Sequence, residues 1–509
     1  MSSQYDNRRP DHVLARARPF ARRLRLRHPL GRLQRYIAFV LGLALVVVCC
    51  FGAVAQQNLP DMGEPADSAL SPLQERDLGA RFMRQIRASL PLVRDVQLNE
   101  YIQNLGNRLV LAAGKSDTQD FTFFIINDPQ INAFAIPGGY VGVNSGLIAA
   151  MDFEEQLAGV VAHEVAHVTQ RHHARAFATG NRASLSAAAA VLAAIIIGQA
   201  SPQAGQAALA AGLAASQQSA INFTRANEVE ADRIGIEILS NAQYDPKAMA
   251  ESFAILRRKN SLNTANRQLE YLRTHPLDNN RIAEATDRAS SKPRKERVST
   301  LDYQLFRARL AVLTSTDTGQ LQRSYLASHK RGAQVDSAYA LALINHRANR
   351  SKEAQTFLAE LKLLAPAHPM VELLSADINS RKDNRSNDSR LAALSDLYPE
   401  QYSIVEKRLE QLTRSRRLGE ALRVANHYIR NSDNTHPLAW RQLAAIQELL
   451  DDQAASHESL ARYFEAINEL QRATGQLELA LREVTADSQD RLRLEANLKG
   501  LRNRASSLR

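Results

Sequence analysis

Residues 154–177 read EEQLAGVVAHEVAHVTQRHHARAF, and the placement of this stretch decides the fold. Leu157, Val160, Val161, Val165 and Val168 recur at helical spacing and predict a core-facing helix from Glu154 to about Phe177. His163 and His167 stand four residues apart, so both imidazoles share one helix face, one turn apart. Two histidines and Glu164 are costly in apolar surroundings unless something satisfies them. A metal ion removes that cost, because two imidazole nitrogens can meet one zinc ion at about 2.0–2.1 Å. Glu164, beside the first histidine, can then take a proton from water activated at that ion. Chance also produces this spacing in long helices, so the motif needs a third protein ligand and an open fourth position.

Outward from that helix, Arg225 to Asp232 (RANEVEAD) supplies the third ligand. Glu228 and Asp232 lie one turn apart on a second helix. Glu228 is expected to bind the metal and Asp232 to accept the outer N–H of His163, fixing its tautomer. Glu230 points elsewhere and reads as solvated or salt-bridged. His172 and His173 fall off the ligand stripe of a continuous helix and read as solvated. Upstream, Phe121–Ile126 is aromatic and β-branched, hence a strand, closed by Asn127-Asp128-Pro129. Asn132–Ile136, Pro137-Gly138-Gly139 and Tyr140–Val143 read as two short strands around a tight turn. Helical patterns resume near Ser145 and run almost unbroken to Arg509.

The chain has 509 residues, 45% of them hydrophobic and 23% charged, enough for two or three domains with real cores. The net charge of +11 would suggest a nucleic-acid partner. However, residues 1–55 hold 10 Arg and 2 Asp, a net +8, which leaves only +3 for the other 454 residues. No nucleic acid is therefore expected on the body. Arg-rich sequence through Arg35 precedes an uncharged run of 19 residues, Ile37–Ala55, ending Ala53-Val54-Ala55. This reads as an export signal, with an uncleaved inner-membrane anchor as one alternative and a lipoprotein signal at Cys49-Cys50 as another, which the Val48 before the cysteine fits poorly. Cys49 and Cys50 are the only cysteines, so the exported body has no disulfide. Residues 56–72 read as a linker.

Residues 183–224 carry no charged side chain, and Ala187–Ile197 is an apolar run of 11, too short for an ordinary spanning helix. It reads as a buried or mobile hairpin; the second reading is a lid, or a segment making peripheral contact with a membrane. Further on, Ala338, Leu341, Ala342, Ala354, Leu358, Leu361 and Pro366 fit one 34-residue helix-turn-helix unit over 335–368. Ala421, Ala425 and Tyr428 mark a second unit, and Trp440, Leu443 and Ala444 begin a third. Such repeats stack into a groove that binds polypeptide. His436, before Pro437, reads as a turn residue.

On these motifs the sequence resembles the zinc metallopeptidase family that includes the CAAX prenyl endopeptidases and the membrane heat-shock peptidases. The resemblance covers about residues 70–290. It rests on Asn132-Ala133-Phe134-Ala135 with Pro137-Gly138-Gly139, on His163–His167, on Glu228–Asp232, and on Thr274-His275-Pro276 followed by Arg281. With one membrane-length segment at most and a helical second half, the chain is most similar to the periplasmic branch, the beta-barrel assembly-enhancing proteases with C-terminal tetratricopeptide repeats. The resemblance implies a mostly α chain: a gluzincin-type HExxH catalytic domain with a small β-sheet over 73–295, then a tetratricopeptide-repeat solenoid over 300–509. It implies one Zn2+ per chain on His163, His167 and Glu228, with Glu164 as base. His275 and Arg281 match the family pattern. His275 would stabilise the oxyanion or fill the fourth zinc position at rest, and Arg281 would steady charge at the oxyanion or brace a carboxylate. The plainer reading makes His275 a helix cap and Arg281 a surface ion pair. Asn132–Ala135 would pair with an extended substrate. The implied function is a periplasmic endopeptidase with a chaperone-like part in outer-membrane protein assembly and quality control. Its partners would be misassembled outer-membrane proteins and, through the repeats, the assembly machinery. The alternatives are an exported repeat scaffold with little proteolysis and a membrane-anchored prenyl-type protease. All expected ligands precede residue 300, so removal of 300–509 is expected to leave the metal site in place.

Overall fold

The computed structural model describes residues 70–115, 121–178, 217–262, 269–293, 300–332, 334–380, 384–432, 435–485 and 488–507. The expected signal segment, nearly all of the linker and most of the charge-free stretch 183–224 lie outside the described residues. No helix among the described residues is long and apolar enough to cross a membrane.

Helix α1 (Pro72–Ser89) starts at a capping box between Ser71 and Gln74, with proline in its first turn. Asp95 caps α2 (Val96–Ala112) by accepting from Leu98 N at 3.1 Å. The predicted strands follow as β1 (Thr122–Ile126), β2 (Ala133–Ile136) and β3 (Tyr140–Asn144). The sheet order is β1-β3-β2, with β3 parallel to β1 and antiparallel to β2. The Leu90–Val93 segment covers the far side of β1 through Val93 N to Ile125 O at 2.9 Å. β2 is the sheet's other edge.

After α3 (Ser145–Ala150) comes α4 (Glu154–Thr169), in which every residue from Glu154 to His167 is buried. The predicted helix does not run on to Phe177. Arg171 takes φ +51°, the left-handed region, and a separate helix α5 (His172–Ala178) leaves at a new angle. α6 (Gln217–Asn241) and α7 (Lys247–Ser261) pack across α4. Two glycines permit that approach: a Cβ on Gly235 would lie 3.3 Å from His163 N, and one on Gly159 would lie 3.1 Å from Met249 Cα. Short α8 (Glu270–Thr274) and α9 (Asn279–Ser290) complete this half.

Twelve helices follow: α10 (Leu301–Thr314), α11 (Thr318–Lys330), α12 (Val335–Arg347), α13 (Ser351–Leu364), α14 (Pro369–Asn379), α15 (Asn384–Leu397), α16 (Tyr402–Arg414), α17 (Leu418–Asn431), α18 (Pro437–Leu449), α19 (Gln453–Ala466), α20 (Leu470–Glu483) and α21 (Gln489–Ser507). They form six pairs, starting at 301, 335, 369, 402, 437 and 470, so successive starts are 34, 34, 33, 35 and 33 residues apart. That period matches stacked tetratricopeptide-type pairs. Asn349, Arg416 and Asp451, all at positive φ, turn the first helix of a pair into the second. The His436 imidazole accepts from Leu438 N at 3.3 Å, the turn role expected of it.

The two halves share α10. Its Tyr303, Phe306 and Leu310 belong to the catalytic half's core, while Leu305, Ala308 and Val312 belong to the first repeat core. The Tyr303 hydroxyl donates to Met151 O at 2.8 Å, and Phe306 stacks on Tyr101 at 4.1 Å. Arg309 grips Asp95 at 2.6 and 2.8 Å. Further along the array, Ser403 N donates to Glu100 of α2 at 3.1 Å, and Arg87 of α1 donates to Ile467 O at 3.0 Å. The array therefore curls back along the first two helices.

This sharing weighs against the expectation that removal of 300–509 leaves the metal site in place. A chain ending at residue 299 loses three large core side chains at about 1.5–3 kcal/mol each, a sum comparable to a whole domain's stability of about 5–15 kcal/mol. It is expected to be insoluble or to lose its cooperative thermal transition; a transition within a few degrees of full length would refute the shared core. Burial pushes the Glu100 carboxyl up to about 7 despite its bond from Ser403. A raised carboxyl binds more protons folded than unfolded, so its contribution to stability falls as pH rises from about 4.5 to 7. Glu100→Gln should flatten that part of the stability–pH curve, read by urea unfolding from pH 4.5 to 7.5.

Candidate metal centre

α4 supplies His163, Glu164 and His167, α6 supplies Glu228 and Asp232, the end of α8 supplies His275, and the first turn of α9 supplies Arg281. All seven are buried. Four donors converge: one atom each from His163, His167, Glu228 and His275 lie within 4.8 Å of one another. His163 Nε2 is 3.0 Å from His167 Nε2 and 3.2 Å from His275 Nδ1. Glu228 oxygens lie 3.4 Å from His163 Nε2, 3.4 Å from His167 Nε2 and 3.1 Å from His275 Nδ1. Donors about 2.0–2.1 Å from one tetrahedral ion lie about 3.3 Å apart, and these five contacts, made with one or other Glu228 oxygen, are close to that spacing. Three imidazole nitrogens and a carboxylate are also a zinc donor set.

The outer faces of the donors are braced. His163 Nδ1 is 2.9 Å from Asp232 Oδ1. Arg281 holds the same carboxylate with two bonds of 2.8 Å and reaches Glu228 Oε2 at 2.9 Å. Arg281 is therefore no surface ion pair, and its guanidinium is committed to two carboxylates and to Pro276 O at 2.6 Å. Burial would lower the His163 pKa, but the Asp232 and Glu228 carboxylates outweigh it and raise it to about 10. Burial would raise Glu228, but its three histidine neighbours hold it well below the usual carboxylate range. Burial drives His167 well below its usual value, so its imidazole is neutral.

Glu164 differs from the other carboxylates. Neither of its oxygens has a hydrogen-bond partner among the described residues, and His275 Nε2 lies 3.5 Å from Oε1. Asn132, at the root of β2, is likewise buried with both amide atoms unpartnered. Asn144 N donates to Asn132 O at 3.0 Å, which sets the alternation along the β2–β3 pair. Phe134 and Ile136 bond to β3, while the N–H and C=O of Ala133 and Ala135 point away from it, toward an edge that no other strand among the described residues pairs with. His173, on α5, donates to the Ala135 carbonyl.

Two residues were not legible as part of the site. Tyr271, fully buried, stacks its ring on His275 at 4.8 Å, and its hydroxyl has no partner among the described residues. His172 is not solvated, as a continuous helix would require. It is buried, with Nδ1 2.8 Å from His167 Nδ1 and Nε2 3.2 Å from Glu230 Oε2. Glu230 also pairs with Arg175, as its salt-bridged reading anticipated. Only the left-handed residue at 171 signals the turn that brings His172 back, and an arginine gives no hint of it.

The family model for peptidase family M48 matches residues 96–289. The beta-barrel assembly-enhancing protease of Escherichia coli is 35% identical over 459 residues, 88% of this chain and 92% of that one. A putative beta-barrel assembly-enhancing protease of Vibrio cholerae is 44% identical over 264 residues, 51% of this chain and 54% of that one. The mitochondrial metalloendopeptidase OMA1 of Schizosaccharomyces pombe is 32% identical over 182 residues, 36% of this chain and 50% of that one.

The geometry predicts one tightly held zinc per chain, lost in His163→Ala. Asp232→Asn, which weakens the brace but keeps the shape, should lower zinc affinity by about 10–100-fold. Metal analysis with chelator competition checks both; stoichiometric zinc in purified His163→Ala would exclude this cluster.

Proposed function

The chain belongs to peptidase family M48, and on that premise we propose that it is a periplasmic zinc endopeptidase acting in the assembly and quality control of outer-membrane β-barrel proteins. The observation that carries the reading is a convergent four-donor cluster beside a buried carboxylate with no hydrogen-bond partner among the described residues. His163, His167 and Glu228 hold the ion, and Asp232 with Arg281 fixes their orientation. Bound zinc supplies a Lewis acid that polarises a peptide carbonyl and acidifies water. Glu164 takes the proton from the attacking water and passes it to the leaving amine nitrogen. A scaffold that never cleaves has no use for such a base, which disfavours the repeat-scaffold reading.

Four protein donors occupy four corners, so the resting site is closed. His275 is the donor that can leave: it ends the five-residue helix α8 rather than sitting inside a long one. Displaced, it remains near Glu164 and can face the developing oxyanion. The substrate enters as an extended strand along the edge of β2, pairing with Ala133 and displacing His173 from the Ala135 carbonyl, while the Asn132 amide bonds its backbone. Unassembled β-barrel chains present such strands with unpaired edges. The curled array of six helix pairs supplies the polypeptide-binding surface for those clients and for the assembly machinery.

Cleavage of an unfolded outer-membrane porin tests this. Glu164→Gln should retain zinc and lose about 100-fold or more in kcat. His275→Ala should retain zinc; loss of a closing donor raises basal proteolysis, whereas loss of an oxyanion contact lowers kcat about 100-fold, so the sign of the change tells which role dominates. Wild-type turnover in Glu164→Gln would sink the assignment of the base.

A further inference from the structure

We propose that His172 is a positioning residue for the metal site. Backed by Glu230 and Arg175, it braces His167 as Asp232 and Arg281 brace His163, and so couples the docking of α5 to metal affinity. The proposal rests on the reading that His163, His167 and Glu228 hold zinc.

The polarity of the chain of contacts is fixed by chemistry. His167 points Nε2 into the donor cluster, 3.0 Å from His163 Nε2. A neutral imidazole that gives one nitrogen lone pair to a metal carries its proton on the other nitrogen. His167 Nδ1 is therefore the donor in the 2.8 Å contact to His172 Nδ1. His172, accepting at Nδ1, carries its own proton on Nε2, which faces Glu230 Oε2 at 3.2 Å. Arg175 closes the chain on the same carboxylate oxygen. From His167 through His172 to Glu230, each N–H meets one acceptor.

The two braces differ in one respect that gives the second its consequence. Asp232 and Arg281 lie on α6 and α9, with side chains only 8% and 6% exposed. The second brace lies mostly on α5, a helix of seven residues, and ends at the water-facing Glu230–Arg175 pair, 28% and 34% exposed. α5 reaches His167 only because Arg171 turns the chain at φ +51°, and Arg171 is itself pinned to Glu75 at 3.0 Å and to Leu70 O at 2.8 Å. Displacement of α5 withdraws the acceptor from His167 and leaves its Nδ1–H buried without a partner, which costs about 1–3 kcal/mol. α5 thus carries part of the free energy of metal binding.

The test is zinc affinity by chelator competition in the full chain, with thermal melting of the zinc-free forms as a folding control. His172→Leu should weaken zinc about 10–100-fold. His172→Gln, which can accept from one side and donate to the other, should recover most of that loss. Glu230→Gln should weaken zinc by a smaller factor, and adding it to His172→Leu should cause no further loss, because the chain is already broken. Equal affinity in His172→Leu and wild type would overturn the proposal. So would an equal loss in Leu and Gln, or full additivity with Glu230→Gln. If wild type holds no zinc, or His163→Ala holds it as tightly as wild type, the metal assignment itself has failed instead.

Discussion

The Asp232 carboxylate between His163 and Arg281 is the interaction on which the site depends. An imidazole, two carboxylates and a guanidinium are buried together there, and none is tolerable alone. Arg281 offsets Asp232 and Glu228 at once, and Asp232 orients His163. The three partners come from α4, α6 and α9, so folding of the catalytic half and assembly of the cluster are one event. The same requirement explains why α4 is buried all round and why glycines stand at 159 and 235. Without close helix contact the carboxylates would not reach the histidines.

Much of this was legible in the sequence because the chemistry is local. His163 and His167 on one helix face, Glu228 and Asp232 on another, and the strand pair around Pro137-Gly138-Gly139 all follow from spacing. The unit at 335–368 was legible because its small and large residues keep their places over a full period. What stayed hidden depends on a change of chain direction or on shared packing. Extending the helix past Thr169 points His172 away from His167; one left-handed arginine reverses that. The two buried faces of α10 make its pattern nearly uniform around the helix, which conceals that it serves two cores. Tyr271 could not be placed because its role rests on a ring contact formed through the short helix that carries His275.

On the proposed reading, a closed resting site and the edge of β2 belong together. A strand that docked on that edge before His275 moved would not be cut, and only a substrate that also drew His275 aside would meet Glu164. Selection then operates on the extended state of the client rather than on a particular side chain, which suits a protease surrounded by folded neighbours it must spare.

The shared helix α10 has a mechanical consequence. Thr300, just before it, donates to Glu154 at 3.1 Å, and Glu154 opens the helix that carries the two histidines. Tyr101, Tyr244 and Arg108 hold the same carboxylate. Among the described residues, Thr300 and α10 bond and pack directly against the first half, so the array is held there by a shared core. A load carried by the array would therefore reach the base of the histidine helix through Thr300 and Glu154.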